Sequence, residues 1–382
     1  MSFKEKILSY QKSDWVLITI ALNLMAQLSL SPRLWGDGNR YFPKVNLFEN
    51  LDFDVNFLII IVISLIAFIF FFQKKYTSIV IVCLFFFAIV LDINRLQVWV
   101  WQQLLMLLFG CYLFSSRDRT RYLQWIILAV YFWSGFHKLN PLFATNTFKW
   151  FVEQSFLKSL GEIPALGYAS ACVEILIPIL FLISKTRRFG FYLSIIFHVF
   201  ILACLSPISQ NWNQVVWPWN VAMVVWNYLL FFKNEDNIFV LPSEWKPKLA
   251  AYSLIFVLAV CPILQYFQLF DEQLSFKMYS GDGIEATLCL EPRDAQLLPE
   301  FIRSEVYVPE QDSLSENIRV VLDDWAFAEL KVPPYYNDFS IKKIVAFYCR
   351  RAEYKEQCKM EVLRYKSFEG FKEENLVFRC EK

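Results

Sequence analysis

A histidine and a lysine stand side by side at the end of an apolar run in Tyr131–Pro141, YFWSGFHKLNP. His137 and Lys138 are residue types that accept and release protons, and a lysine at the mouth of a membrane helix is costly enough to need a reason. One reason is snorkelling, in which the Lys138 stem stays among lipid tails while its ammonium reaches the headgroups. The other is a site. Three further polar groups interrupt apolar runs: Glu174 in CVEILIPILFLISKTRR, His198 in IIFHVFILA, and Gln102-Gln103 in VWVWQQLLMLLFG. Ionisable groups inside membrane bundles usually face the interior and mark a pathway or site. Glu174 must be paired or protonated in hydrocarbon, so it reads as a counter-ion or proton relay, or as a structural partner of Lys138 or His198. Gln102 and Gln103, with Asn23 and Gln27 of the first run, read as interhelical hydrogen bonders or as part of a pocket wall. Asn211–Asn220, NWNQVVWPWN, carries three tryptophans. Two readings stay open for Trp217 and Trp219: headgroup anchors, or a re-entrant wall of a pocket, for which His137 is a further candidate.

These residues need elements to hold them. The chain of 382 residues is 57% hydrophobic with 39 Phe, a composition of repeated apolar runs rather than of a soluble core. A net charge of +1 gives no field to attract nucleic acid. Charges are sparse in the apolar runs and dense after Asp271, which divides a membrane domain, residues 1–270, from a water-soluble tail, residues 271–382. The length rule predicts an α-helical polytopic bundle of about nine spans. They are Trp15–Leu30, Asn56–Phe72, Thr77–Leu91, Leu96–Phe114, Tyr122–His137, Ile163–Ile183, Phe189–Leu205, Val215–Phe232 and Ala250–Phe267. The basic residues Lys74, Lys75, Arg117, Arg119, Arg121, Lys185, Arg187, Arg188 and Lys233 fall in alternate connections. The positive-inside bias then places those loops and the N-terminus in the cytoplasm, and the tail outside a cytoplasmic (inner) membrane. Arg33, Arg40 and Lys44 in the Ser31–Val55 loop run against that bias. Lys4, Lys6 and Lys12 precede an apolar run without a small-residue cleavage site, so the first run reads as a retained helix.

The outer loop Asn140–Glu162 interleaves Phe143, Phe148, Trp150 and Phe151 with Lys149 and Glu153, as an interfacial amphipathic helix or an aromatic belt would. In the tail, the spacing predicts a small extracytoplasmic α+β domain. A hairpin is expected from Leu274–Ser280 and Ile284–Leu290 around Gly281-Asp282-Gly283, with helices over Glu316–Leu330 and Ser340–Arg351 and strands over Lys359–Tyr365 and Asn375–Cys380. The tail has no histidine, no phosphate loop, no nucleophile–base arrangement and no motif for a metal. Cys289, Cys349, Cys358 and Cys380 are available for disulfides if the tail faces an oxidising space. Cys83, Cys111, Cys172, Cys204 and Cys261 lie in apolar runs as packing residues.

In order, YFWSGFHKLN, VEILIPILFLISKTRR, IIFHVFILA and WNQVVWPWNVAMVVWNYLLF resemble the horizontally transferred transmembrane (HTTM) domain family, to which the membrane domain of vitamin K-dependent gamma-carboxylases belongs. The resemblance spans about Trp15 to Phe232, and the VEILIPILFLISKTRR piece also resembles DoxX-like membrane proteins. Its most specific parts are Gly-x-x-Lys-Leu, here Gly135 to Leu139, and a Phe-His pair about sixty residues on. The resemblance implies a quinone or hydroquinone as ligand, Lys138 as the base that deprotonates a lipid-soluble quinol, and His198 as its catalytic partner. Two functions follow from the residues and the resemblance together. One is a quinol-linked or carboxylase-like membrane enzyme; the other is a non-enzymatic scaffold or assembly partner that presents the tail to an extracytoplasmic protein.

Overall fold

The structure, a computed structural model, describes residues 9–36, 40–48, 56–234, 236–304, 317–366 and 370–380. Lys4, Lys6, Glu316 and part of the Ser31–Val55 loop lie outside the described residues. The chain gathers into two compact units. The first comprises residues 1–30, 59–86 and 97–281, and the second residues 31–58, 87–96 and 282–382.

Helices dominate: α1 (Lys12–Leu30), α2 (Phe57–Phe71), α3 (Thr77–Leu91), α4 (Val98–Phe109), α5 (Ser116–His137), α6 (Pro164–Leu182), α7 (Arg187–Leu205), α8 (Val216–Asn227) and α9 (Trp245–Ile255). A helix satisfies its backbone groups internally, which is what runs of Leu, Ile and Phe need where no water can serve them. Ile63, Phe70, Val80, Ile196 and Val199 are exposed along these helices. So much bare apolar surface identifies lipid as the solvent and the chain as a membrane protein.

The expectation of about nine spans is corrected. Among the described residues, four helices are long and apolar enough to cross: Lys12–Leu30, Pro164–Leu182, Ser184–Leu205 and Trp245–Gln265. Phe57–Phe71, Thr77–Leu91, Val98–Phe109 and Val216–Phe232 are apolar but have 10–17 residues. At ~1.5 Å rise per residue such helices fall short of the ~30 Å hydrocarbon core. α5 is long enough, but it begins before the predicted span Tyr122–His137, and its first turns carry Arg117, Asp118, Arg119 and Arg121. There Arg119 pairs with Asp14 of α1 at 2.9 Å, and Tyr112 donates its hydroxyl to the same carboxylate. The segment after α5 is helical over residues 143–153, and its Phe143, Phe148 and Val152 are buried against Ala171 and Cys204.

In the second unit, β1 (Glu285–Leu290), β2 (Ile318–Val321), β3 (Lys359–Lys366) and β4 (Lys372–Arg379) form one antiparallel sheet in the order β2-β1-β3-β4. The helices α10 (Leu322–Leu330) and α11 (Asp338–Cys349) complete it. The expected hairpin around Gly281-Asp282-Gly283 does not form, since β1 takes its partners from β2 and β3. Leu274–Ser280 is instead held in the first unit, where the Ser275 and Ser280 carbonyls accept from His137 and Asn140. Gly281, at φ +82°, sits where a Cβ would lie 2.6 Å from the Phe143 nitrogen, so only glycine fits that approach. The expected helix over Glu316–Leu330 begins late. Ile318–Val321 is a β-branched stretch with alternate residues buried, and pairs with β1 before the helical spacing takes over.

Segments read as loops supply part of this core. The Glu329 carboxylate accepts from the backbone nitrogens of Tyr41 and Phe42 at 2.5 and 2.9 Å and from Trp325 Nε1 at 2.8 Å. Asp92 accepts from the Val45 nitrogen and pairs with Arg40. Cys349 and Cys380 form a disulfide, and the Cys358 thiol lies 4.0 Å from Cys349. The three sulfurs thus converge although no short Cys spacing announces it. Burial raises the Cys358 thiol to about 11, which keeps it protonated and a poor nucleophile.

Burial pushes the Asp323 carboxyl up to about 7; nearby Glu285 and Asp324 add to this, against the hydrogen bond donated by Tyr336 at 2.7 Å. An acid whose folded value exceeds its unfolded value stabilises the fold when protonated. That contribution is complete below the unfolded value, near 4, and is lost as pH rises through about 7. Asp323→Asn is expected to flatten the fall in melting temperature between pH 5 and pH 8 and to raise it at pH 8. Melting curves of both proteins at the two values check this, and parallel pH profiles would refute it.

Candidate functional site

Four helices of the first unit converge on one polar centre. α5 ends at His137 because Pro141 biases Asn140 away from helical backbone. The Asn140 amide then donates to the exposed His137 carbonyl at 2.7 Å and to Ser280 O at 2.7 Å, while its Oδ1 accepts from the Phe143 nitrogen. This fixes the last turn of α5, where Tyr131, Ser134 and Lys138 share a face at i, i+3 and i+7.

Lys138 is buried and donates to Ser134 Oγ and to Glu174 of α6, both at 2.8 Å. Gly135 permits that approach. A Cβ there would lie 2.8 Å from the Ile175 side chain, 3.0 Å from the Ala171 carbonyl and 3.1 Å from Glu174 Cβ. Gly135→Val is therefore expected to push α5 from α6 and cost ~1–3 kcal/mol as an overpacked contact. A melting temperature unchanged from wild type in the same detergent would contradict this.

His198 of α7 does not reach Lys138. Its Nδ1 meets Asn220 Oδ1 of α8 at 2.7 Å and its Nε2 meets the Tyr131 hydroxyl at 2.5 Å. Asn220 uses its amide nitrogen on the Val216 carbonyl, so its oxygen faces the ring and Nδ1 must carry the proton. Tyr131 then donates to Nε2, and Asn227 donates to the Tyr131 oxygen at 2.7 Å. The chain Asn227–Tyr131–His198–Asn220 fixes one neutral tautomer with both ring nitrogens occupied.

A cavity of about 90 Å³ lies between these two groups. Lys138, Glu174, Ser134, Tyr131, His198 and Asn220 form its polar side, and Phe148, Phe197, Phe200, Leu205, Val216 and Met223 are among its apolar walls. Its volume exceeds the ~10–15 Å³ that one water needs.

The remaining candidates divide. Trp219 lines the cavity and donates Nε1 to Gln102 Oε1 at 2.9 Å, so Gln102 supports the wall from behind. Trp217 turns its indole nitrogen to the Trp212 carbonyl and is not among the lining residues. Gln103 joins Asn23 and Gln27 in an interhelical cluster, accepting from Asn23 at 2.9 Å and donating to Gln27 at 2.7 Å. His137, adjacent to Lys138, points elsewhere: it meets Tyr266 Oη at 2.8 Å and Ser275 O at 3.1 Å, a clasp on the following segment. Tyr131, Ser134, Asn220 and Asn227 were not singled out by sequence reasoning. Their signal was present as polar residues recurring at i, i+3 and i+7 on otherwise apolar helices.

A family model described as methylamine utilisation protein MauE matches residues 116–214. The match takes in about a quarter of the chain and includes Lys138, Glu174 and His198. No curated protein matches the chain, and no solved structure does. The resemblance to the HTTM and gamma-carboxylase family is thereby corrected, together with the DoxX-like one and the quinone they implied. The family that covers YFWSGFHKLN, VEILIPILFLISKTRR and IIFHVFILA is a different one. The physical reason lies in the motifs. A glycine for close helix approach, a lysine at a helix end and a histidine among phenylalanines are packing solutions that unrelated bundles share.

Proposed function

We propose that the chain is a multi-pass membrane accessory protein that serves another protein rather than turning over a substrate of its own. The observation that carries this reading is that both buried histidines have each ring nitrogen occupied and that Lys138 is held in an ion pair with Glu174. Lys138 also donates to Ser134. A catalytic base must offer a lone pair to its substrate. Here the donors and acceptors face one another and hold helices in register. The family matched over residues 116–214 is described as a methylamine utilisation protein, a description that names no reaction catalysed by the protein itself. In this reading the second unit is the extracytoplasmic contact domain. The Cys349–Cys380 disulfide supports that placement, as an oxidising compartment preserves such bonds. Deleting the chain from its host and quantifying the envelope proteome tests it. Loss of one or a few envelope proteins, restored by the wild-type gene, is expected; an unaltered envelope proteome counts against it.

A second reading keeps Lys138 as base and Glu174 as relay, with His198 and Tyr131 shaping the wall against which a substrate would lie. The cavity beside Lys138 is the observation that favours it. Turnover of a lipid-soluble substrate by purified protein, abolished in Lys138→Ala, is its test.

A further inference from the structure

We propose that the cavity beside Lys138 and Glu174 binds a neutral, lipid-soluble molecule through a hydroxyl at its polar end. The inference stands apart from the accessory reading and does not depend on it. It starts from unused hydrogen-bonding capacity. The Lys138 ammonium has three N–H groups, of which Ser134 and Glu174 take two. Glu174 uses Oε2 for that pair, and its Oε1 has no hydrogen-bond partner among the described residues. Both side chains line the cavity. A donor and an acceptor therefore sit side by side at one end of a chamber with mostly apolar walls.

A hydroxyl matches that pair, since its oxygen accepts from Nζ while its hydrogen goes to the carboxylate. Each bond to a charged group is worth roughly twice a neutral one. A hydrocarbon would leave both groups unserved, and a buried polar group without a partner is costly. An anionic head is disfavoured because Glu174 already neutralises Lys138 and would face the incoming charge. A cationic head meets Lys138 in the same way. Neutrality thus follows from the ion pair, and lipid solubility from the phenylalanines around it. His198 and Tyr131 already satisfy each other, so they shape the wall and leave recognition to the ion pair.

A diazirine-bearing octanol, photolysed with the full-length protein in detergent, is the probe. Peptide mapping is expected to place the label on cavity residues such as Phe148, Phe200 or Met223. An excess of 1-octanol should reduce that label at least fivefold, while octanoate and octane should leave it within twofold. Ile201→Trp, which adds bulk at a lining residue outside the ion pair, should also lower it at least fivefold. Lys138→Met combined with Glu174→Leu should remove the preference for alcohol over alkane while the melting temperature reports folding. Label confined to lipid-facing helix surfaces, equal competition by all three compounds, or undiminished label in folded Ile201→Trp would each overturn the assignment.

Discussion

Glu174→Ala is expected to destabilise the membrane unit by ~3–5 kcal/mol, because it strands the Lys138 ammonium in a buried site. Lys138 and Glu174 are both largely shielded, with side-chain exposures of 11% and 7%, so bulk solvent screens the stranded charge poorly. Ser134 would remain, but one hydroxyl does not neutralise a charge. The companion variant distinguishes the pair from its members. Lys138→Met with Glu174→Leu removes both charges at similar volume, and is expected to recover most of the loss, since well-packed apolar replacements of buried pairs are often near neutral. Unfolding of the three proteins in one detergent reads this directly. A double variant as unstable as Glu174→Ala would mean that side-chain shape at the α5–α6 contact, not charge, sets the cost.

The second large effect lies in the other unit. Glu329→Ala is expected to cost ~3 kcal/mol or more, because it leaves the Tyr41 and Phe42 nitrogens and Trp325 Nε1 without their shared acceptor. Trp325 is fully buried and meets Phe42 edge-on at 5.5 Å, so the same change loosens an aromatic contact at the core. Glu329→Gln retains an acceptor oxygen and should fall between wild type and alanine. Limited proteolysis should show the difference first within residues 40–48, whose backbone the carboxylate holds. Equal cleavage rates in wild type and Glu329→Ala would refute the role.

Both cases concern partners far apart in sequence, and this separates what was legible from what was not. Apolar runs identified the membrane protein, because helices in lipid must be built of residues that lipid tolerates. Their number as spans was overestimated, since composition marks a run as apolar without showing where its helix begins and ends. Lys138, Glu174 and His198 stood out because each is expensive in hydrocarbon. The strands of the C-terminal sheet near Lys359 and Asn375 were visible in local alternation, whereas the hairpin at Gly281 was not, because a turn signal cannot tell which strand its neighbour will join.

The sequence by itself determined the class of protein, the helical character of most of the chain and which apolar runs carry an ionisable residue. Tertiary structure alone decided how they pair. Lys138 meets Glu174 across Gly135, His198 is closed off by Tyr131 and Asn220, and Glu329 gathers nitrogens from a segment that reads as a loop. A buried charge records its cost in the sequence, but its partner is chosen by helix register and close approach, which only the packed bundle fixes.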